Sequence, residues 1–418
     1  MADVKPFQCV RPAQEYAGRI AALPYDVYNR AEAKEEIMKE PMSFLCIDRA
    51  DTQFEDSVDI YDERVYDKAK ELLEDMIVKG RFIKEPKECY YVYELIMDSR
   101  SQTGLVACSS IDDYLNNVIK KHENTREEKE IDRIRHVDIC NAQTGPIFLA
   151  YRSHEEINNI IGEVKKEKPL YGFTAPDGII HNVWMIEDTV RIERIRRSFE
   201  NIESIYIADG HHRAASAVKV GLMRREEHTG YTGEEDFNYF LSVLFPEDQL
   251  MIMPYNRVVK DLNGYSLNEF IQAAEEYFTV ERLGSKAYAP EKKGNYGMYA
   301  GGEWYRLKAK EVIRNTEDPV KALDVSVLQD YLLDKILGIK DPRTDKRIDF
   351  IGGIRGLKEL EKRVNEDMTA AFSMYPTSIT ELFAVSDAGR LMPPKSTWFE
   401  PKLRSGLFIH KLSKIQAE

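Results

Sequence analysis

Residues 205 to 213 read Ile205-Tyr206-Ile207-Ala208-Asp209-Gly210-His211-His212-Arg213, an apolar strand that runs straight into an acid, a glycine, two histidines and an arginine. Helix-compatible residues follow from Ala214 to Val220, so the segment predicts a strand ending where a helix begins. Such a junction belongs to an alternating arrangement of strands and helices, and it leaves the first N–H groups of the helix without intrahelical acceptors. Those groups and the helix dipole favour an anion. Gly210 lets backbone approach a ligand closely, Asp209 is able to hold a metal or accept a proton, and Arg213 is a forked donor to phosphate or carboxylate. A helix cap with a structural Asp–Arg pair uses the same residues, and the segment by itself leaves both readings open.

The rest of the chain repeats the alternation. Helices are predicted over 30–39, 61–79 and 154–165, with Gly80 placed as a helix end should be. Aromatic and β-branched residues over 90–96 and 103–109 predict paired strands, and further strands are expected over 146–151, 179–186, 205–209 and 237–245. A helix is expected over 112–121, interrupted at Lys120-Lys121-His122-Glu123-Asn124. Thr125 and Glu128 then fit a capping box, with the next helix starting at Arg126. Beyond residue 251 the pattern predicts helices over 265–277, 318–337 and 357–370 and strands over 378–385 and 407–412. The fold class expected is α+β (mixed α/β), with an N-terminal α/β region over 1–103, a central phosphate- or nucleotide-binding region over 104–250, and a C-terminal α/β region over 251–418 that contributes a substrate loop.

A formal net charge of −13 argues against a partner in nucleic acid backbone, which asks for a basic face. The first residues, Met1 to Pro6, lack the apolar core of a signal peptide and no run approaches the ~20 apolar residues that span a bilayer, so a cytoplasmic chain with no membrane partner is expected. The five cysteines are spread without zinc-site spacing and are expected as reduced, mostly structural thiols, although Cys108 and Cys140 lie near the segments of interest.

Three segments carry chemistry: His122-Glu123, Asp209 to Arg213, and Lys395-Ser396-Thr397 with Lys402, Arg404 and Ser405. They supply a carboxylate, a helix-start anion site, and ammonium and hydroxyl donors. That set suits phosphoryl transfer, which needs cationic donors and a metal on the phosphates and one acceptor to orient the attacking hydroxyl. Glu123 is the candidate acceptor; a solvated acid stabilising a helix start is the plainer alternative. The Lys395 loop is equally readable as a polar surface turn, tied down by Leu391, Met392, Trp398, Phe399 and Leu407. The P-loop signature is missing, Gly352-Gly353-Ile354-Arg355-Gly356 fails the dinucleotide spacing, and the adjacent histidines fail the H-E-x-x-H spacing of a zinc hydrolase.

At these residues the chain resembles a bacterial and archaeal family long filed as a domain of unknown function, related to the ParB/sulfiredoxin-like superfamily and to the free serine kinases called SerK. The resemblance is carried by Leu23-Pro24-Tyr25-Asp26-Val27, Lys120-Lys121-His122-Glu123-Asn124-Thr125, Ala208 to Arg213, Met253-Pro254-Tyr255-Asn256-Arg257 and Met392 to Phe399. It implies a small-molecule kinase that moves a phosphoryl group from ATP or ADP to the hydroxyl of free L-serine or a similar hydroxy amino acid, giving O-phospho-L-serine with Mg2+. On that resemblance Glu123, Asp209 and His212 are catalytic, with Glu123 taking the hydroxyl proton and Asp209 also holding the metal. His122, Gly210, His211 and Arg213 bind the nucleotide phosphates. Lys395, Ser396, Thr397, Lys402 and Arg404 hold the substrate. Two other readings stay open: a nucleotide-binding regulator of the ParB-like kind, and a nucleotidase or phosphatase that runs the same site toward water.

Overall fold

Aromatic and β-branched residues build the centre of the sheet. Strands β2 (Tyr90–Met97) and β3 (Arg100–Ser110) form an antiparallel hairpin through Asp98 and Ser99, both at positive φ. Two left-handed residues in a row match the right-handed twist of the flanking strands. The computed structural model describes residues 1–125 and 127–412. The chain divides into two units, Met1–Leu250 joined by the chain from Pro401 onward, and Met251–Glu400.

The first unit holds a nine-stranded mixed sheet. Its order is β4 (Ile119–Lys120), β8 (Ile205–Asp209), β5 (Ile147–Tyr151), β9 (Tyr239–Pro246), β3, β2, β7 (Ile180–Ile186) and β6 (Tyr171–Thr174), with β1 (Val4–Lys5) pairing β3 off this path. β8 runs parallel to β4 and β9 parallel to β5; the other pairings are antiparallel. Alternate residues of the strands, among them Tyr90, Val92, Leu105, Leu149, Ile205 and Ile207, join one buried cluster. The cluster takes Ile157, Ile160 and Val164 from α4 (Glu155–Val164), Ile195 and Phe199 from α5 (Thr189–Glu200), and Ala214, Ala217 and Val218 from α6 (His211–Glu227). Each fully buried Leu, Ile or Phe side chain contributes about 1.5–3 kcal/mol, so this face holds the sheet together. From the next residues along β2, Tyr91 and Tyr93 meet Phe408 at ring distances of 5.4 and 5.6 Å. A second cluster joins α2 (Glu63–Val78), through Val65, Ala69 and Leu73, to Cys140 at the end of α3 (Glu127–Cys140).

The mixed α/β class expected from the sequence is the one observed. Residue 103, where a regional boundary was expected, lies inside β3, and hydrogen bonding to β2 and β9 on either side leaves no seam there. The chain after residue 400 returns to the first unit: Ser405 bridges Ala22, Ile409 bridges Val10, and His410–Lys411 pairs with Ala142–Gln143. The segment over 112–121 is not one helix. A short helix, Ile111–Leu115, is followed by Asn117 at φ 60, and the chain then enters β4. Among the described residues no helix is long and apolar enough to cross a membrane.

The second unit is built on a six-stranded antiparallel sheet. Its order is β11 (Phe278–Gly284), β13 (Glu303–Ala309), β12 (Asn295–Ala300), β15 (Ala370–Ser373), β10 (Tyr255–Val259) and β14 (Ile348–Gly352). Helix α8 (Gly356–Glu366) lays Leu360 on Val258, Trp304 and Ala371. The strand expected over 378–385 is instead helix α9 (Ile379–Asp387). Ser378 accepts the Glu381 N–H and Glu381 reaches back to the Ser378 N–H, and this reciprocal cap outweighs the β-branched Ile379 and Thr380. The strand expected over 407–412 shortens to His410–Lys411.

Candidate functional site

The parallel pairing of β4 with β8 decides what meets what. Ile119 lies opposite Ile205 and Lys120 opposite Tyr206, so His122-Glu123, beyond the end of β4, and Asp209 to Arg213, at and beyond the end of β8, leave the sheet on the same edge. The antiparallel register of β8 with β5 shifts between Ile207 and Asp209, an irregularity of the kind that re-aims a side chain. Gly210, at φ 92 and ψ 31, turns the chain from strand to helix. Helix α6 then starts at His211, with the Ala214 N–H on the Gly210 carbonyl at 2.9 Å.

Asp209 sits at the centre of this turn. One carboxylate oxygen accepts the Gly210 N–H at 2.8 Å and the other accepts the Lys402 ammonium at 2.9 Å. Burial works against its charge, but the cations of Lys402 and Arg213 outweigh it and hold the carboxyl well below the usual carboxylate range. Arg213 lies against the backbone of this turn. Its guanidinium donates to the Pro146 carbonyl at 2.7 Å, and a Cβ added at Gly210 would stand 3.1 Å from Arg213 Nη2. A Cβ on Gly145 would stand 3.3 Å from Arg213 Nη1, so both glycines leave room for the arginine.

His122 and His211 stack edge to face, with ring centroids 4.5 Å apart. The His122 N–H points at His211 Nε2 at 3.5 Å, a long hydrogen bond. Both rings are buried, and burial pushes the His122 imidazole down to about 4 and that of His211 well below its ordinary value. Among the described residues, the groups that come together at metal-ligating spacing are His122, Glu123 and His211, whose ligand atoms all lie within 4.8 Å of one another. Glu123 is exposed in the loop that precedes α3. Thr125, expected as a helix cap, donates through its hydroxyl to Glu130 at 2.6 Å; Arg126, the expected first helical residue, lies outside the described residues. His212, half-buried, follows His211 in the first turn of α6, and its carbonyl accepts the Ser216 hydroxyl at 2.7 Å.

The expected substrate residues are divided between the two units. Lys402 is in the cluster. Arg404 is buried and committed to Asp177 and to His181 Nε2, the latter at 3.2 Å. Lys395, Ser396 and Thr397 belong to the second unit. There the Ser396 hydroxyl closes a turn on the Pro393 carbonyl at 2.6 Å, and the Lys395 ammonium stands 5.4 Å from the centre of the Tyr255 ring.

Beside Arg213 is a cavity whose lining includes Tyr25, Asp48, Arg133, His136, Gly145 and Ser405. Tyr25, Asp48, Arg133 and His136 also line a larger cavity of about 220 Å3. Arg133 packs over the Tyr25 ring at 4.0 Å, and Thr144 donates to Asp48 at 3.0 Å. Sequence reasoning missed Asp48, Arg133 and His136. A signal was present: the buried positions of α3 are Glu130, Arg133, His136 and Cys140, a polar stripe where an ordinary amphipathic helix carries apolar residues. The cysteines are all buried and free; burial pushes the Cys140 thiol up to about 12 and that of Cys108 well above its ordinary value, which makes both poor nucleophiles.

A family model described as "Protein of unknown function (DUF1015)" matches residues 4–326. The chain belongs to this family. The match runs through both His122-Glu123 and the Asp209 to Arg213 turn. No curated protein matches the chain. Among solved structures, a free serine kinase in complex with AMP aligns at 14% identity and a TM-score of 0.34, covering 72% of this chain and 91% of that one. A mutant free serine kinase in complex with ADP aligns at 14% identity and a TM-score of 0.34, covering 74% and 95%. SbnI with a C-terminal truncation, from Staphylococcus aureus, aligns at 12% identity and a TM-score of 0.38, covering 72% and 85%. Likenesses this distant decide nothing about activity.

Proposed function

We propose that the first unit is a small-molecule kinase, moving a phosphoryl group from ATP or ADP to the hydroxyl of free L-serine or a similar hydroxy amino acid. The observation that carries the reading is the ionised Asp209–Lys402 pair at the start of α6, on the same sheet edge as Glu123. Helix α6 offers its first N–H groups to phosphate oxygens, and Lys402 and Arg213 add positive charge where the transferred group gains negative charge. Asp209 keeps Lys402 oriented. Its carboxylate, 37% exposed, also suits magnesium, which takes one or two carboxylates beside phosphate oxygens and would neutralise phosphate charge when bound with nucleotide. Glu123 accepts the hydroxyl proton as the serine oxygen bonds to phosphorus and the bond from phosphorus to the leaving nucleotide oxygen breaks. The product is O-phospho-L-serine with ADP or AMP.

Purified protein with magnesium, ATP or ADP and a panel of hydroxy amino acids is to be followed by phosphorus NMR. A phosphomonoester that requires the amino acid is the expected result. Glu123→Gln is expected to lower turnover by about 100-fold or more while leaving nucleotide affinity nearly unchanged, because the base acts in the transition state. Nucleotide binding without a phosphorylated product would refute the kinase and favour a nucleotide-binding regulator. Phosphate release independent of any alcohol would instead favour a nucleotidase.

A further inference from the structure

Two imidazoles and a carboxylate converge at the start of α6. His122 is 2% exposed, and its Nδ1 is a buried nitrogen with no hydrogen-bond partner. A buried polar atom without a partner costs about 1–3 kcal/mol and asks for an explanation. An unpartnered ring nitrogen on a buried imidazole is a ligand atom that no protein group occupies.

We propose that His122, Glu123 and His211 bind one divalent transition-metal ion of the zinc, cobalt or manganese kind, distinct from the magnesium that accompanies nucleotide. The three ligand atoms lie within 4.8 Å of one another. A tetrahedral ion with bonds of about 2.1 Å holds its ligands about 3.4 Å apart, so binding draws the set together and replaces the long contact of the His122 N–H on His211 Nε2. Glu123 is exposed while both histidines are buried. Two imidazoles and a carboxylate select a borderline ion; magnesium prefers an all-oxygen octahedron. Three protein ligands leave coordination positions for water or a phosphate oxygen. The inference stands apart from the kinase reading: it concerns an ion, with or without transfer.

The test uses full-length protein freed of any affinity tag, stripped with a chelator, dialysed and titrated with Co2+. One Co2+ per chain is expected, with visible d–d absorption that zinc abolishes and excess magnesium does not. His122→Ala and His211→Ala are expected to weaken Co2+ binding by about 100-fold or more, while His212→Ala, on the adjacent half-buried histidine, leaves it unchanged. Glu123→Gln, an exposed change that leaves the fold intact by circular dichroism, is expected to weaken binding and alter the absorption band. Absence of stoichiometric Co2+ in the wild-type protein, displacement by magnesium, or unchanged binding in Glu123→Gln or in a folded His122→Ala or His211→Ala protein overturns the proposal. Phosphoserine formed with magnesium by stripped protein that fails to bind Co2+ overturns the ion and leaves the kinase standing.

Discussion

Replacing Lys402 by Met tests whether the cation on Asp209 is what holds the strand-to-helix turn. At 2.9 Å the pair has a gross attraction of about 6 kcal/mol at an effective dielectric constant of 20. Desolvation consumes most of that, and 37% of the Asp209 side chain and 18% of the Lys402 side chain remain exposed to screening, so a net of about 1–2 kcal/mol is expected. Asp209 keeps its bond from the Gly210 N–H, which caps the loss. Hydrogen exchange of the peptide over 205–227 reads the local opening free energy of β8 and α6 without requiring the two units to unfold together. Because the native carboxyl is held below its ordinary range, the stabilisation is fully present at neutral pH. It is lost as pH falls below about 4, so the difference between Lys402→Met and wild type narrows there. In a double-mutant cycle with Asp209→Asn the coupling is expected at about 1–2 kcal/mol. A coupling below about 0.5 kcal/mol would refute the assignment of Lys402 as the partner that fixes Asp209.

Burial pushes His122 down to about 4 in the folded chain and His181 to about 3, and lowers His211 in the same direction, so the unfolded chain binds more protons below about pH 6.5. Stability is therefore expected to fall as pH drops from about 6.5 toward 4, by up to about 3 kcal/mol from His122 alone; urea midpoints at a series of pH values check this, with a shallower fall in His122→Asn. Gly210→Ala places an L-residue at φ 92 with its Cβ 3.1 Å from Arg213 Nη2, whereas Gly178→Ala, at φ 82, meets nothing within 4 Å. Both carry a backbone cost of about 1–2 kcal/mol, and a larger loss of thermal stability in Gly210→Ala is the expected sign of the packed arginine. Ser378→Ala removes a reciprocal cap and should cost about 1 kcal/mol, read from faster exchange over 378–388.

Much of the local structure was legible because its causes are local. The helix at Arg30–Lys39 begins with Asn29 and Glu32 in a capping box, and the hairpin of β2 and β3 follows from its aromatic residues and its turn. The failures have named causes. Over 112–121 the helical composition continues through Asn117, whose positive φ ends the turn and releases β4. Over 378–385 the Ser378 and Glu381 cap starts a helix in spite of the β-branched Ile379 and Thr380. The cavity residues Arg133 and His136 are not legible in the sequence, because a charged stripe on a helix looks like a solvated face until the partner that buries it is known.

The sequence by itself determined the strand, the glycine and the helix start at 205–213, since those depend on steric preferences within a few residues of each other. It also singled out His122-Glu123 as chemistry ahead of a helix. Tertiary structure decided which histidines pair. The adjacent His211 and His212 invited a test for zinc spacing, which they fail; His211 instead meets His122, 89 residues earlier, because β4 lies parallel to β8 and delivers both loops to one edge. Parallel pairing is a long-range choice, stabilised by buried faces contributed from the whole sheet, and no local spacing rule records it.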